Sequence, residues 1–287
     1  MSKYQEAFQK HPSVETAEQI KANIEKILSD KFTENFNKEV LKKIFGFIDL
    51  TSLTSIDTKD SIYKLVQRVN DLEGDRPDLP SVAAICTYPN FAETVKQALT
   101  ANDVKIACVT GGFPSSQTFP EIKVAETALA ITDGADEIDI VLNLGLFFEE
   151  NYEELNEEIE EIKYTCREAK LKVILETGAL TTPDNIRKAS VIALYSGADF
   201  IKTSTGKGYP GASFEAVYTM CKVLKEYSEL NKIKKGIKVS GGVSTAEDAV
   251  KYYTIVKEVL GEEWLHSDLF RIGASSLVNN ILEKIGE

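Results

Sequence analysis

The chain has 287 residues, of which 43% are hydrophobic and 27% are charged, and its formal net charge at pH 7 is −12. That length is enough for one large hydrophobic core and is close to the size of a single α/β barrel. The acidic balance, without any block of lysine and arginine, argues against nucleic acid or an anionic membrane as the main partner, and no apolar run is long enough to cross a membrane.

The first 43 residues are predicted to form a helical extension that packs on the rest of the protein. Ser13 is the predicted N-cap of a helix with apolar residues at 20, 24, 27 and 28 on one face. A second helix is predicted around Phe36. Helices that close the bottom of a barrel or pack on its side are the simplest interpretation of this segment.

Eight short apolar runs follow at intervals of about 30 residues, which is typical of strand–helix units. The predicted strands span residues 44–51, 81–88, 106–111, 137–143, 172–178, 200–205, 237–242 and 270–276. Most intervals contain an apolar helical stripe, such as Ile62, Leu65, Val66 and Val69. This pattern predicts the α/β class and a (β/α)₈ TIM barrel over residues 44–287. An open doubly wound sheet is the alternative, but no G-x-G-x-x-G follows the first strand.

Three charged residues lie inside predicted strands, where their neighbours are apolar. Asp139 lies between two isoleucines, Lys202 follows an isoleucine, and Lys238 precedes a valine. Because strand side chains alternate between the two faces, the apolar neighbours can contact the helices and the charged groups then point into the barrel. Each could be half of a structural ion pair, but three inward charges together favour an active site at the barrel's carboxyl end.

The position of Lys202 favours a nucleophilic amine. Burial and a second ammonium group on the neighbouring strand, Lys238, both favour the neutral form of Lys202. A neutral lysine can attack a carbonyl carbon and form a Schiff base. Asp139 is better suited to carrying protons, directly or through water.

Glycines, hydroxyl side chains and one further lysine follow the last three strands and indicate a phosphate site. Thr205, Gly206 and Lys207 come directly after Lys202, and two glycines follow strand seven. Strand eight ends in the segment 273–276, which contains a glycine and two serines. Backbone N–H groups in such loops bind anions, and barrels commonly bind phosphate after strands seven and eight.

Cysteine and histidine usage indicates the compartment and the cofactor requirement. The four cysteines form no C-x-x-C pair, and residues 1–6 contain no apolar run. We therefore expect reduced thiols, no signal peptide and a cytoplasmic protein. His11 and His266 lie in no metal-ligand pattern, so we predict neither a metal nor any other cofactor.

These segments, taken in order from residue 44 to residue 282, resemble the deoxyribose-phosphate aldolases, a family of class I aldolases on a (β/α)₈ barrel. The matching motifs are FIDLT at 47–51, AAICTYP at 83–89, GADEIDI at 134–140, KVILETG at 172–178, ADFIKTSTGK at 198–207, Lys238 with Gly241-Gly242, and GASS at 273–276. The ordered set is far more specific than a single Thr-Gly-Lys.

The resemblance implies an enzyme that reversibly cleaves 2-deoxy-D-ribose 5-phosphate to acetaldehyde and D-glyceraldehyde 3-phosphate, in deoxyribonucleotide catabolism. It implies that Lys202 is the Schiff-base lysine and that Asp139 and Lys238 transfer protons. The substrate-binding residues that it implies are Asp49, Thr51, Cys86, Lys172, Thr205, Gly206, Lys207, Gly241, Gly242, Gly273, Ser275 and Ser276. The expected partners are a phosphorylated sugar and aldehydes, and a homodimer is one assembly that the chain could form.

The chain departs from the family pattern in three places. Val239 and Ser240 replace a commoner Pro-Ala after Lys238, the segment 208–211 differs, and the sequence ends without the terminal tyrosine that aids proton transfer in some members. We expect these departures to affect the reaction rate and the aldehyde preference more than the class of reaction. A different Schiff-base aldolase, and a barrel that binds a sugar phosphate without turnover, are the alternatives that the residues leave open.

Overall fold

The computed structural model describes residues 3–12 and 15–286, and its centre is a closed barrel of eight parallel strands in the order β1 to β8. The strands are β1 Ile48–Thr51, β2 Ala84–Thr87, β3 Lys105–Val109, β4 Glu137–Val141, β5 Lys170–Ile174, β6 Phe200–Lys202, β7 Gly236–Ser240 and β8 Phe270–Ala274. This topology confirms the predicted TIM barrel.

Helices surround the barrel and precede it. They are α1 Lys3–Lys10, α2 Ala17–Asn35, α3 Lys38–Phe45, α4 Lys59–Asp75, α5 Ala92–Ala98, α6 Pro120–Thr132, α7 Leu144–Phe148, α8 Tyr152–Cys166, α9 Thr177–Leu180, α10 Pro183–Tyr195, α11 Phe214–Asn231, α12 Ala246–Leu260 and α13 Leu277–Gly286, with 3₁₀ turns at Pro89–Phe91 and Glu262–Trp264. None of the helices formed by the described residues is long and apolar enough to cross a membrane.

The first strand begins later than the sequence predicts. Residues 44 and 45, predicted as strand, are the last turn of α3, so this helix also crosses the predicted boundary at residue 43. Asn37 caps the helix by accepting a hydrogen bond from the Val40 N–H at 3.0 Å. Ile44 lies four residues after Val40, and both are buried. A single apolar residue between two elements fits the helical and the strand periodicity equally well. The N-cap at Asn37 stabilises the helix, so residues 44 and 45 are helical.

The N-terminal helices pack on the outside of the barrel. The helix α2 contacts α11 and α12, α3 contacts α12 and α13, and α1 contacts α10. The predicted cap Ser13 lies outside the described residues, and the N-cap of α2 is Thr16, which forms a capping box with Gln19. Buried His11 lies 3.0 Å from Glu226 on α11, which helps to hold the end of α1 against the barrel helices.

Strand register sets which charged groups share a level inside the barrel. Lys202 on β6 pairs with Lys238 on β7, and Asp139 on β4 pairs with Lys172 on β5. The alternating residues Ile138 and Ile140 are buried in the layer between strands and helices. Asp139 therefore points to the barrel axis, as the alternation of strand side chains requires.

Candidate active site

A cavity of about 320 Å³ opens at the carboxyl ends of β1, β6, β7 and β8. The predicted site residues that line it are Thr51, Lys202, Thr205, Gly206, Lys207, Gly241, Gly242, Gly273, Ser275 and Ser276. The other predicted site residues are fully buried and do not line this cavity: Asp49, Cys86, Asp139, Lys172 and Lys238. The predicted residues thus form two connected groups, one at the cavity wall and one beneath it, with Lys202 in contact with both.

Asp139 is the centre of the buried group. Its Oδ2 accepts hydrogen bonds from Lys202 Nζ and Lys238 Nζ, each at 2.8 Å. Its Oδ1 accepts from Lys172 Nζ at 2.9 Å. One carboxylate therefore holds three ammonium groups from three consecutive strands, β5, β6 and β7.

A second layer of charge lies around this centre. Lys238 Nζ lies 2.6 Å from Asp49 Oδ2, and Lys172 Nζ lies 2.5 Å from Glu137 Oε2. Arg271 donates to Asp49 at 2.7 Å and to Glu137 at 2.8 Å. The buried network therefore contains three carboxylates and four cationic side chains, so with every group ionised it carries one surplus positive charge.

The pKa shifts show which cation releases its proton most easily. Burial lowers the pKa of Lys202 and Lys238 lowers it further, and these effects outweigh the opposing carboxylate of Asp139. Burial also opposes the charge of Lys238, but Asp139 and Asp49 raise its pKa well above the ordinary value. The pKa of Lys172 is raised in the same way, by Asp139 and Glu137 against burial. Lys202 is therefore the amine of this network that becomes neutral first.

Access to the cavity also separates the three lysines. The Lys202 side chain is 4% exposed and lines the cavity, whereas those of Lys172 and Lys238 are 0% exposed. Although burial favours the neutral acid, the three ammonium groups hold the pKa of Asp139 well below its usual range. The arrangement thus combines one accessible amine of lowered pKa with an ionised carboxylate and a buried ammonium group.

The loop predicted to bind phosphate differs in detail from the sequence expectation. The backbone N–H of Gly206 donates to Ser204 Oγ at 3.0 Å, and that of Lys207 donates to Thr205 Oγ1 at 3.0 Å. These two donors are therefore already bonded within the loop. The N–H groups of Gly242 and Ser275, in contrast, form no hydrogen bond within the described part of the chain. They remain available to an anion in the cavity.

Two glycines of this region are required by close packing. A Cβ on Gly273 would lie 3.0 Å from Lys238 Cε, so this glycine makes room for the buried lysine. Gly241 has φ +90°, and a Cβ there would lie 2.8 Å from the Cα of Gly211. The loops after β6 and β7 can therefore approach each other only because both positions lack a side chain.

Two further predicted residues are bonded within the protein. Thr51 Oγ1 donates to the backbone oxygen of Asp49 at 2.8 Å, although Thr51 also lines the cavity. Cys86 is fully buried, and burial raises the pKa of its thiol. A thiol with a raised pKa is a weak nucleophile, so Cys86 is a poorer candidate for attack on a carbonyl than Lys202.

A model of the DeoC/LacD family of aldolases matches residues 47–280. The chain belongs to this family. It is 38% identical over 288 residues to the deoxyribose-phosphate aldolase of Homo sapiens, across 96% of this chain and 88% of the human protein. It is 39% identical over 255 residues to the deoxyribose-phosphate aldolase of Mus musculus, across 85% and 80%. The solved structure of "QR15, an Aldolase" is similar with a TM-score of 0.68 and 30% identity, across 85% of this chain and 96% of that one.

The resemblance found in the motifs is confirmed, and so is the enzyme class, an aldehyde lyase.

The structure of this aldolase adds three charged residues that the sequence analysis did not assign to the site. Arg271 lies between Phe270 and Ile272 on β8, the same apolar flanking that identified Asp139, and could have been found by that signal. Glu137 begins its strand, so no alternation marks it. Glu176 follows β5 and contacts the loop after β6, a contact that only the fold creates.

Proposed function

We propose that this protein is a class I aldolase that reversibly cleaves 2-deoxy-D-ribose 5-phosphate into acetaldehyde and D-glyceraldehyde 3-phosphate. The observation that carries the proposal is Lys202, an amine of lowered pKa at the base of a cavity, bonded to an ionised carboxylate. The human and mouse relatives are deoxyribose-phosphate aldolases by name, which supports the choice of substrate.

The reaction begins at the sugar aldehyde. The Lys202 amine attacks C1, and loss of water leaves an iminium ion between Nζ and C1. Removal of the proton from the C3 hydroxyl then breaks the C2–C3 bond, and its electron pair moves into the iminium to form an enamine. The C3–C5 fragment leaves as D-glyceraldehyde 3-phosphate. Protonation of the enamine at C2 and hydrolysis of the new iminium release acetaldehyde and restore the amine.

Asp139 and Lys238 are the proposed proton carriers of these steps. Lys238 is held protonated by two carboxylates and can supply a proton through Asp139, whose Oδ2 contacts both lysines. The lowered pKa of Asp139 makes it a weak base by itself. Its role is to keep both ammonium groups in place and to relay protons between the lysines and the substrate.

The proposed phosphate position is the end of the cavity formed by the loops after β6, β7 and β8. The Lys207 ammonium group and the unbonded N–H groups of Gly242 and Ser275 are the donors that this end offers. Binding the phosphate there places C1 toward Lys202, which lowers the barrier by positioning the reacting atoms.

Reductive trapping tests the proposal. Borohydride with acetaldehyde should add an ethyl group to Lys202, found by peptide mass mapping, and Lys202→Met should remove the label. Labelling of Lys172 or Lys238 with Lys202 unmodified would contradict the assignment. We expect kcat/KM for deoxyribose 5-phosphate to be much higher than kcat/KM for deoxyribose or for ribose 5-phosphate. A higher kcat/KM for another phosphorylated sugar would show that the substrate is that sugar.

Metal independence, the cytoplasmic location and the place in deoxyribonucleotide catabolism belong to the same proposal. Its class I chemistry needs no metal, because the iminium accepts the electron pair that a metal-bound enolate would otherwise hold. Activity should therefore persist in EDTA. Full loss in EDTA, reversed by a divalent cation, would refute this part.

A further inference from the structure

Glu176 has an unusual backbone and an unusual environment. It follows β5, immediately before α9, with φ 54° and ψ 60°, the left-handed region that residues other than glycine rarely adopt. The residue is 2% exposed, and no cation of the described residues lies within ion-pair distance of its carboxylate. A buried carboxylate without a cation is unfavourable unless hydrogen bonds satisfy it. The hydrogen bonds that Glu176 accepts therefore decide whether its buried position is favourable.

Among the described residues, the hydrogen-bond donors to this carboxylate all come from the segment after β6. Oε1 accepts from Ser204 Oγ at 2.8 Å and from the Thr205 N–H at 3.3 Å. Oε2 accepts from Thr205 Oγ1 at 2.5 Å. Because Ser204 and Thr205 both donate their single hydroxyl proton to Glu176, the protons of both hydroxyl groups are oriented toward it.

The oriented hydroxyl groups then serve as acceptors for the next turn. Ser204 Oγ accepts from the Gly206 N–H at 3.0 Å, and Thr205 Oγ1 accepts from the Lys207 N–H at 3.0 Å. Each oxygen of Glu176 is thus connected through one hydroxyl to one peptide N–H of the Gly206–Lys207 turn. Without the carboxylate, either hydroxyl could rotate and donate elsewhere, and the turn would lose its fixed acceptors.

This turn forms one wall of the proposed phosphate end. Gly206 and Lys207 line the cavity together with the loops after β7 and β8, and Lys207 Nζ donates to the Leu53 backbone oxygen at 2.6 Å. Glu176 itself does not line that cavity. It can affect an anion there only through the turn that carries Lys207.

We propose that Glu176 is a positioning residue for the phosphate group of the substrate, and that it acts through Ser204 and Thr205 on the Gly206–Lys207 turn. This inference rests on the proposed function, because it requires a phosphorylated substrate in the cavity. It assigns Glu176 to recognition of the phosphate and not to the carbonyl chemistry at Lys202.

Glu176→Gln tests the proposal because it keeps the size of the side chain but replaces one acceptor with a donor. We expect KM for deoxyribose 5-phosphate and the inhibition constant of inorganic phosphate each to rise about tenfold, the effect of losing one charge-assisted hydrogen bond. We expect kcat/KM for unphosphorylated deoxyribose to change by less than about twofold, since that sugar has no group for the turn. A purely structural role would lower activity on both sugars equally, and that result would overturn the proposal.

The neighbouring hydroxyl provides a matched control. Thr177 Oγ1 is buried and forms no hydrogen bond within the described part of the chain, so Thr177→Val should leave both constants unchanged. Thr205→Val removes the hydroxyl that connects Glu176 to Lys207 and should raise both constants as Glu176→Gln does. The double variant Glu176→Gln/Thr205→Val should be no worse than the more affected single variant, and additive losses would contradict the shared route.

If Glu176→Gln fails to fold, Thr205→Val provides the same test. An unchanged inhibition constant of inorganic phosphate in Thr205→Val would then refute the proposal. Failure of the proposed function gives a different result. Borohydride labelling of Lys202 with acetaldehyde involves no phosphate, so it should persist in Glu176→Gln. Loss of labelling in the unaltered protein would instead refute the aldolase assignment.

Discussion

Replacing Lys238 with methionine should raise the pKa of Lys202 and slow imine formation near neutral pH. Lys238 and Lys202 donate to the same oxygen of Asp139, each at 2.8 Å, so their charges repel each other across one atom. The methionine side chain is similar in length and carries no charge. Asp49 keeps Arg271 as a partner, so the substitution leaves no carboxylate of this layer unpaired and the fold should persist.

The size of the effect follows from the separation of the two ammonium groups. Two cations on one oxygen lie about 4–5 Å apart, where their repulsion at an effective dielectric constant of about 20 is about 3–4 kcal/mol. Since about 1.4 kcal/mol corresponds to a factor of ten, removal of Lys238 should reduce the neutral fraction of Lys202 at pH 7 by about two to three orders of magnitude. The sign is fixed, because loss of a like charge stabilises the protonated amine.

The rate of reductive trapping by acetaldehyde, measured from pH 6 to pH 10, separates this effect from proton relay. We expect the rise in rate with pH to move to higher pH in Lys238→Met, and the rate at high pH to recover toward that of the unaltered protein. A proton-relay role lowers the rate of the complete cleavage reaction but does not move the profile of imine formation. An unchanged profile would therefore refute the electrostatic role, and full activity at all pH values would remove Lys238 from the mechanism.

Two further substitutions test buried contacts, one inside the barrel beneath the cavity and one between α6 and α8. Gly273→Ala should lower kcat about tenfold or more without unfolding the protein, because the new methyl group would lie 3.0 Å from Lys238 Cε. The control is Gly74→Ala, which should leave kcat unchanged because no atom lies within 4 Å of the added methyl group. Lys123→Met removes the ion-pair partner of buried Glu158, which lies 2.7 Å away. Because a buried charge is then left without a partner, the free energy of unfolding, measured in urea, should fall by about 3–5 kcal/mol. A loss below about 1 kcal/mol would show instead that the pair is solvated.

The barrel could be predicted because the strand–helix units repeat along the chain at regular intervals. Within it, the inward direction of Asp139 and Lys202 follows from alternation with apolar neighbours, which is a local property of each strand. The start of β1 could not be placed, since Ile44 satisfies both a helical and a strand pattern. The N-cap of α3 at Asn37 decides that competition, and it lies outside the predicted strand.

The partners inside the barrel could not be predicted from the sequence. Arg271 reaches Asp49 and Glu137 across 222 and 134 residues of chain. These contacts depend on how strands that are distant in sequence are aligned along the barrel axis. The bonded N–H groups of Gly206 and Lys207 show the same dependence on the fold, because the hydroxyl groups that accept from them are held by Glu176, which follows β5. A glycine-rich loop predicts free donors only where no such residue occupies them.

The surroundings of two lysines on adjacent strands support the different roles proposed for them. Lys202 and Lys238 are aligned in the β6–β7 register, are both buried, and contact the same oxygen of Asp139. Lys238 has a second carboxylate, Asp49, at 2.6 Å, and Lys202 does not contact it. The surplus positive charge of the network is therefore removed most easily at Lys202, which is also the lysine that reaches the cavity. The proposed choice of Lys202 as the nucleophile thus depends on two features of the fold: Asp49 of β1 holds the proton on Lys238, and Lys202 is the lysine of the pair that lines the cavity.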